Sequence, residues 1–347
     1  MTFDIFKLYF QTPLHLSRGK LNTYADSDSV LHSDMLKSAM YATALELYGE
    51  AVASKAFFDS FLTSSAFPFV SSEYFFPKPL NLFLSGTVAQ KKELKKTTHL
   101  PAALFARVLR NDKINIAEVL DESGKAKNPV VFKRFMTQRV NIYEDDIVDA
   151  NTGHETGETT FRSTPFYIDK LYPENGNTRG LYFIVQQPGK ERMEKEMLQQ
   201  LTGILRLLGD NGLGLQRKLG NGQFRCEHAE LELALPENAN AILSLSTYRP
   251  TEDELNELDW EAGFYQFIQR GGWISSPANE EQLSIRKKSM YVFSEGSVFT
   301  SEGGVKRPDL KGKVEDLKPD NNVLAPDKQV GHPVWRDGRI VALPINI

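Results

Sequence analysis

The residues best suited to hold a ligand lie in GDNGLGLQRKLGNGQF (209–224), where Gly209, Gly212, Gly214, Gly220 and Gly222 surround Arg217 and Lys218. Glycine lets backbone N–H groups approach a phosphate, and two cations add charge-assisted contacts, so the segment has the chemistry of a phosphate cradle. A dinucleotide fingerprint follows a strand and opens a helix. This loop follows a helical apolar repeat and enters a strand-like one, so that fingerprint fails on context. No G-x-x-x-x-G-K-S/T run occurs, which removes the P-loop. The alternative is a surface connection that binds nothing.

The six histidines are His15, His32, His99, His154, His228 and His332, with no HExxH pair and no spacing that makes a local metal site. His15 in TPLHLSRGK and His32 before the first helix could each serve a nuclease as general base. The reading we favour gives His15 a backbone or phosphate partner and His32 a place where the helix begins. Asp34, Asp145 and Asp146 fit a helix start and a hairpin flank better than Mg²⁺ ligation, and Ser33 fits an N-cap. A single cysteine, Cys226, excludes a disulfide framework and a Cys-based zinc site and suits a reducing cytoplasm. No catalytic set, metal site or cofactor is expected. Most aromatics repeat like core residues; Phe161, next to Arg162, is placed to stack on a base.

The elements that must position these residues are legible from periodicity. Residues 3–10 read as a strand, and Leu36, Met40, Ala44 and Leu47 mark a helix that Ser33 caps and Gly49 stops. SEYFFPKPLNLFLS (72–85) is strand-like but interrupted by Pro77 and Pro79, which places it at an edge or bend. Residues 86–135 read as a lysine-rich insertion with one short helix near Leu104. A long hairpin with its tip near Asn151 to Gly157 follows, then a strand at 181–187, a helix from Lys190 to Leu208 ended by Gly209, and a strand at 222–235. The order β-α-β-β-α-β is ferredoxin-like, as in RNA-recognition modules. The expected class is α+β with two ferredoxin-like (RRM-like) domains. Residues 1–236 form the first, with the long insertion and the Gly-rich loop; residues 237–347 form a smaller, mostly β second, a degraded copy of the same plan.

The 347 residues carry 41 Lys+Arg and 45 Asp+Glu, a net charge of −4. Two runs, 141–158 and 251–261, hold six acids each and no base, so the rest of the chain is net positive and can present a basic groove. The run 251–261 is expected to face a protein partner. No stretch approaches the ~18 apolar residues of a membrane span, and MTFDIFKLYF does not read as a signal peptide.

Together TPLHLSRG, HSDMLKSAMYATALELYG, SSAFPFVSSEYFFPKPL, GLGLQRKLGNGQF and the closing QRGGWI, KKSMYVFSEGSVF and HPVWRDGRIVALPI resemble one family. It is the RAMP superfamily subunit four of type III-A CRISPR effector (Csm) complexes. The resemblance covers nearly the whole chain, least in 86–135, and the FPKPL, RGGW and EGS-F segments are its most specific part. It implies a non-catalytic, cytoplasmic RNA-binding cap that holds the 5′ handle of the CRISPR RNA (crRNA) between two domains. It further implies docking onto the large polymerase-like subunit and the first copy of the backbone subunit, in antiviral defence. By matched segment, His15, Ser17, Arg18 and Lys20 would face RNA, and Ser33 and Lys37 would reach handle phosphates. The loop Gly212 to Gly222 with Arg217 and Lys218 would cradle the backbone. The hairpin 137–164, carrying Arg139, Phe161 and Arg162, would be the family's thumb. The rival function is a metal-independent RAMP endoribonuclease that processes CRISPR repeat RNA with His15 or His32.

Overall fold

The computed structural model describes residues 1–16, 27–148, 155–175, 177–274, 285–304 and 306–347. Ser17, Arg18 and Lys20, and residues 149–154 of the hairpin tip, lie outside the described residues. The strand Thr2–Phe10 runs between Phe224–Glu232 and Arg179–Gln186, antiparallel to both. Beyond Arg179–Gln186 the same sheet continues with Phe67–Val70, Glu73–Pro77 and His99–Pro101. Pro77 ends its strand, where a missing N–H costs nothing.

Alternate residues of the first strand serve two cores, as the strand period of two requires. Phe6, Leu8 and Phe10 face the helices Ser33–Tyr48 and Lys195–Asn211, where Met40, Ala44, Leu201, Ile204 and Leu208 close over them. Phe3, Ile5 and Tyr9 face the other side, against the helix Ala102–Leu109 and against Ala241, Leu243, Val298 and Leu343 of the C-terminal part. Burial of both faces explains why FDIFKLYF and LYFIV read as nearly unbroken apolar runs. It has a functional consequence. RNA-recognition modules stack bases on an open sheet face, but Phe3, Phe69 and Tyr182 are buried here and the Tyr182 hydroxyl donates to Phe75 O at 2.9 Å. The sheet face is taken by the protein itself.

The insertion is more ordered than its lysines imply. It holds the helices Val88–Lys96, Ala102–Leu109 and Ile116–Val119 and the strand His99–Pro101. Among its apolar residues, Phe105, Val108 and Leu109 all point into the core shared with the C-terminal part. The second long helix starts at Lys195 and runs to Asn211, so Gly209 lies inside it. There the carbonyl of Phe224 passes 2.2 Å from where a Cβ would sit, so Gly209 allows the helix to meet the sheet and does not end the helix. Ser33 is the first helical residue and His32 the N-cap, without a side-chain capping bond.

Residues 237–347 are strand-rich: a three-stranded sheet centred on Ala241–Ser244, and the paired strands Phe267–Arg270 with Met290–Phe293 and Val314–Asp316 with Trp335–Asp337. Among the described residues there, the only α-helix is Glu252–Glu257, so the paired helices of a second β-α-β-β-α-β copy are not seen. The overall class is a mixed α/β fold.

Candidate nucleic-acid interface

Three segments far apart in sequence are sewn together at one end of the main sheet. The helix Lys195–Asn211 stops at Gly212 (φ 80°), and the chain turns through Gly214 and Gln216 into a 3₁₀ turn, Arg217–Leu219, before Gly220 and Gly222 lead into Phe224–Glu232. Leu215 N donates to His15 O at 2.9 Å and Gly222 N to Pro13 O at 2.8 Å, which ties this loop to the loop after the first strand. Leu14 and Leu171 exchange backbone bonds of 2.8 Å, and Lys170 Nζ donates to Asn221 Oδ1 at 3.3 Å, which adds the root of the hairpin. On the outside of this junction stand Arg217, Lys218, Leu219 and Gly220, all exposed.

The glycines work differently from the sequence expectation. A Cβ at Gly222 would lie 1.9 Å from Leu213 O, one at Gly212 would lie 2.3 Å from Asn221 O, and one at Gly214 would lie 2.4 Å from His15 O. Their bare backbones admit neighbouring carbonyls, not phosphates, and the Gly222 N–H is consumed by Pro13. Only around Gly220 is the space open. The glycines therefore build a tight platform, and the exposed cations of the 3₁₀ turn are what it presents.

The hairpin pairs Phe132–Val148 with Glu155–Pro173 and is longer than expected at its base. Tyr143 pairs with Arg162, and Arg139 with Phe166, so Arg139 and Arg162 share one face. Phe161, paired with Glu144, lies on the opposite face with Val140 and Ile142, and all three are exposed. The neighbours Phe161 and Arg162 thus point apart, and a base stacked on one is not gripped by the other.

Other residues expected at RNA are interior. His15 is 1% exposed, its Nδ1–H donates to Asp169 O at 2.7 Å, and burial lowers its pKa. Lys37 is wholly buried: its ammonium donates to Phe61 O, lies 2.9 Å over the Phe61 ring centroid and 4.0 Å from Asp337, and burial drives its pKa well down. The hydroxyl of Ser33 bonds that of Thr247 at 2.8 Å and accepts from Thr247 N. Ser33 and Lys37 do not join the glycine loop and cannot reach a phosphate as placed. Their helix packs on the C-terminal part, and its exposed face lies elsewhere.

Sequence reasoning missed the ionic lock at that contact. His32 Nδ1 bonds Glu295 Oε1 at 2.8 Å and its Nε2 lies 3.4 Å from Asp28 Oδ2. Burial pulls the imidazole down, but Glu295 and Asp28 outweigh it and raise its pKa to about 9. Arg270 Nε meets Asp34 Oδ2 at 3.1 Å, and Arg336 Nη1 donates to Asp34 O at 3.0 Å. Burial pushes the Asp34 carboxyl up, but Arg270 and Arg336 hold it well below the carboxylate range. The signal was present: Arg270, Glu295 and Arg336 sit in the RGGW, EGS-F and WRDGR segments. The acidic run 251–261 also turns partly inward, since Glu254 caps its own helix with Thr251 and accepts from Gly312 N at 3.0 Å.

The fold joins an antiparallel sheet backed by two helices to a glycine loop and a long hairpin at one end of that sheet. The family model of the CRISPR Csm4 C-terminal domain matches residues 237–345. The Mycobacterium tuberculosis CRISPR system Cms protein Csm4 is 27% identical over 286 residues, covering 81% of this chain and 84% of that protein. The Methanocaldococcus jannaschii Csm4 is 23% identical over 100% of this chain and 98% of its own. A chain of the Csm3–Csm4 subcomplex of a type III-A interference complex shares the fold with a TM-score of 0.59 at 16% identity, over 99% of this chain and all of that one. A chain of the Csm1–Csm4 cassette with pppApA does so at 0.59 and 18%, over 100% and 99%. The chain is thus similar to Csm4 proteins over its whole length, in sequence and in fold.

Proposed function

We propose that this chain is a non-catalytic RNA-binding subunit of a type III-A CRISPR interference complex that holds the 5′ handle of the crRNA. In this reading it bridges the large polymerase-like subunit to the backbone subunit in the cytoplasm, without a cofactor. The observation that carries the reading is the junction of the first-strand loop, the hairpin root and the glycine loop, with Arg217 and Lys218 exposed on it. Residues 1–236 read as a ferredoxin-like RAMP domain, because the strand order has the first strand central with two helices on one face. Residues 237–347 read as a smaller strand-rich domain. The partners follow from relatives solved with Csm1 and with Csm3.

Burial of His15 and His32 supports the non-catalytic reading over a metal-independent endoribonuclease, since neither proposed base is accessible. Among the described residues no helix is long and apolar enough to cross a membrane. The test offers repeat RNA to the purified chain in EDTA. Retention without cleavage is the expected result; cleavage lost in His15→Ala or His32→Ala selects the nuclease, and neither retention nor cleavage removes both.

A further inference from the structure

The strands Phe267–Arg270 and Met290–Phe293 form a ribbon whose antiparallel pairing resumes at Trp273 and Arg286. Arg270, Met290 and Val292 face inward. The outer side presents Phe267, Tyr291 and Trp273, which are 56%, 58% and 47% exposed. The Arg286 guanidinium lies 4.8 Å over the Trp273 ring, and Gln269 Nε2 donates to Ser289 Oγ at 3.3 Å between the aromatic positions. Three solvated aromatic rings on one ribbon forgo burial that the fold could have used, which marks a contact surface.

The charge around them decides what kind of contact. FIQRGGW (267–273) and RKKSMYVF (286–293) carry four cations and no acid, in a chain of net charge −4; Arg270 is taken up inside by Asp34 and Lys287 is half-buried, which leaves Arg286 and Lys288 beside the rings. Polar Gln269 and Ser289 separate the rings, so there is no continuous apolar floor of the kind a protein anchor fills. Rings spaced by polar groups and flanked by cations suit a polyanion whose bases can be splayed and stacked. We propose that this ribbon binds single-stranded RNA without sequence preference, with bases stacked on Tyr291 and Trp273 and the strand's phosphates near Arg286 and Lys288. The RNA lies toward Trp273, because Phe293 at the other end stacks on Trp260 of the acidic run. The ribbon shares no residue with the glycine loop, so this proposal does not rest on handle binding.

The test measures binding of fluorescein-labelled oligouridine and oligoadenosine to the full chain by anisotropy. Trp273→Ala and Tyr291→Ala are each expected to weaken binding of both RNAs by about 5- to 100-fold with the salt dependence unchanged. Trp273→Phe and Tyr291→Phe, which keep a ring, are expected to retain most of the affinity. Ultraviolet crosslinks mapped on the wild-type chain are expected within 267–273 or 286–293, which holds the proposal to account even where an alanine variant does not fold. Folded alanine variants with wild-type affinity, or crosslinks confined to the hairpin and glycine loop, overturn it. Intact RNA binding together with lost association of the large or backbone subunit assigns the ribbon to protein docking instead.

Discussion

Lys37 is a cation with no access to solvent, and its replacement separates a structural from an RNA-binding role. Lys37→Ala removes packing against Phe58 and Phe61 and a bond to Phe61 O. It is expected to cost about 2–4 kcal/mol in urea unfolding while the salt dependence of RNA binding stays unchanged. A flattened salt dependence with full stability would return Lys37 to the phosphate contacts. His32 is held protonated between Asp28 and Glu295, with a folded pKa of about 9 against an ordinary 6.5. A raised pKa contributes stability that is complete below pH 6.5 and is lost as pH rises through about 9. His32→Gln is therefore expected to cost about 2–4 kcal/mol at pH 6, where it leaves the half-buried carboxylates of Asp28 and Glu295 without their imidazolium. Comparing the two proteins cancels the opposing effect of Lys287, which burial lowers to about 7. The wild-type advantage is expected to shrink from pH 6.5 to 9.5, and a constant difference over that range contradicts the assignment.

The glycine loop is an element whose sequence pattern was plain and whose mechanics were not. Five glycines and two cations announce a phosphate-binding loop, but the sequence does not say whether the space a glycine frees is filled by ligand or by protein. Gly222→Ala would drive a Cβ against Leu213 O at a φ of 76°, whereas Gly220 at φ 73° has open space around it. Thermal unfolding is expected to show Gly222→Ala losing several kcal/mol and Gly220→Ala about 1. Equal, small losses would mean that the junction is loose and its platform role is wrong. Strands and helices of the first unit were legible because their apolar periods are long and both sheet faces are buried. The insertion was not, because Lys91, Lys92, Lys95 and Lys96 hide a helix that buries only Leu94. Ser33 and Lys37 were misplaced for a related reason: four apart on a helix they share a face, and nothing local tells whether that face meets RNA or a partner domain.

At the scale of the whole molecule, the N-terminal sheet, the insertion and the C-terminal strands share one core. Phe105 of the insertion stacks on Phe76 with centroids 4.4 Å apart and belongs to the same buried cluster as Leu243 and Leu343. All three tryptophans, Trp260, Trp273 and Trp335, are in the C-terminal part. Phe105→Ala is expected to cost about 3–5 kcal/mol and to lower the tryptophan-reported midpoint together with that of far-ultraviolet circular dichroism. An unchanged tryptophan transition would show the two parts unfolding independently. That shared core closes the sheet face and leaves the junction, with Arg217 and Lys218 exposed on it, as the surface proposed to meet RNA. Each phosphate neutralised on a single strand contributes about −0.7 to the slope of log affinity against log salt. Handle-RNA affinity measured at several salt concentrations is predicted to show the double variant Arg217→Ala, Lys218→Ala flattening that slope by about 1 to 1.5, with similar losses for handle and unrelated single-stranded RNA. A double variant that keeps the wild-type slope would make the loop a connector and contradict the account.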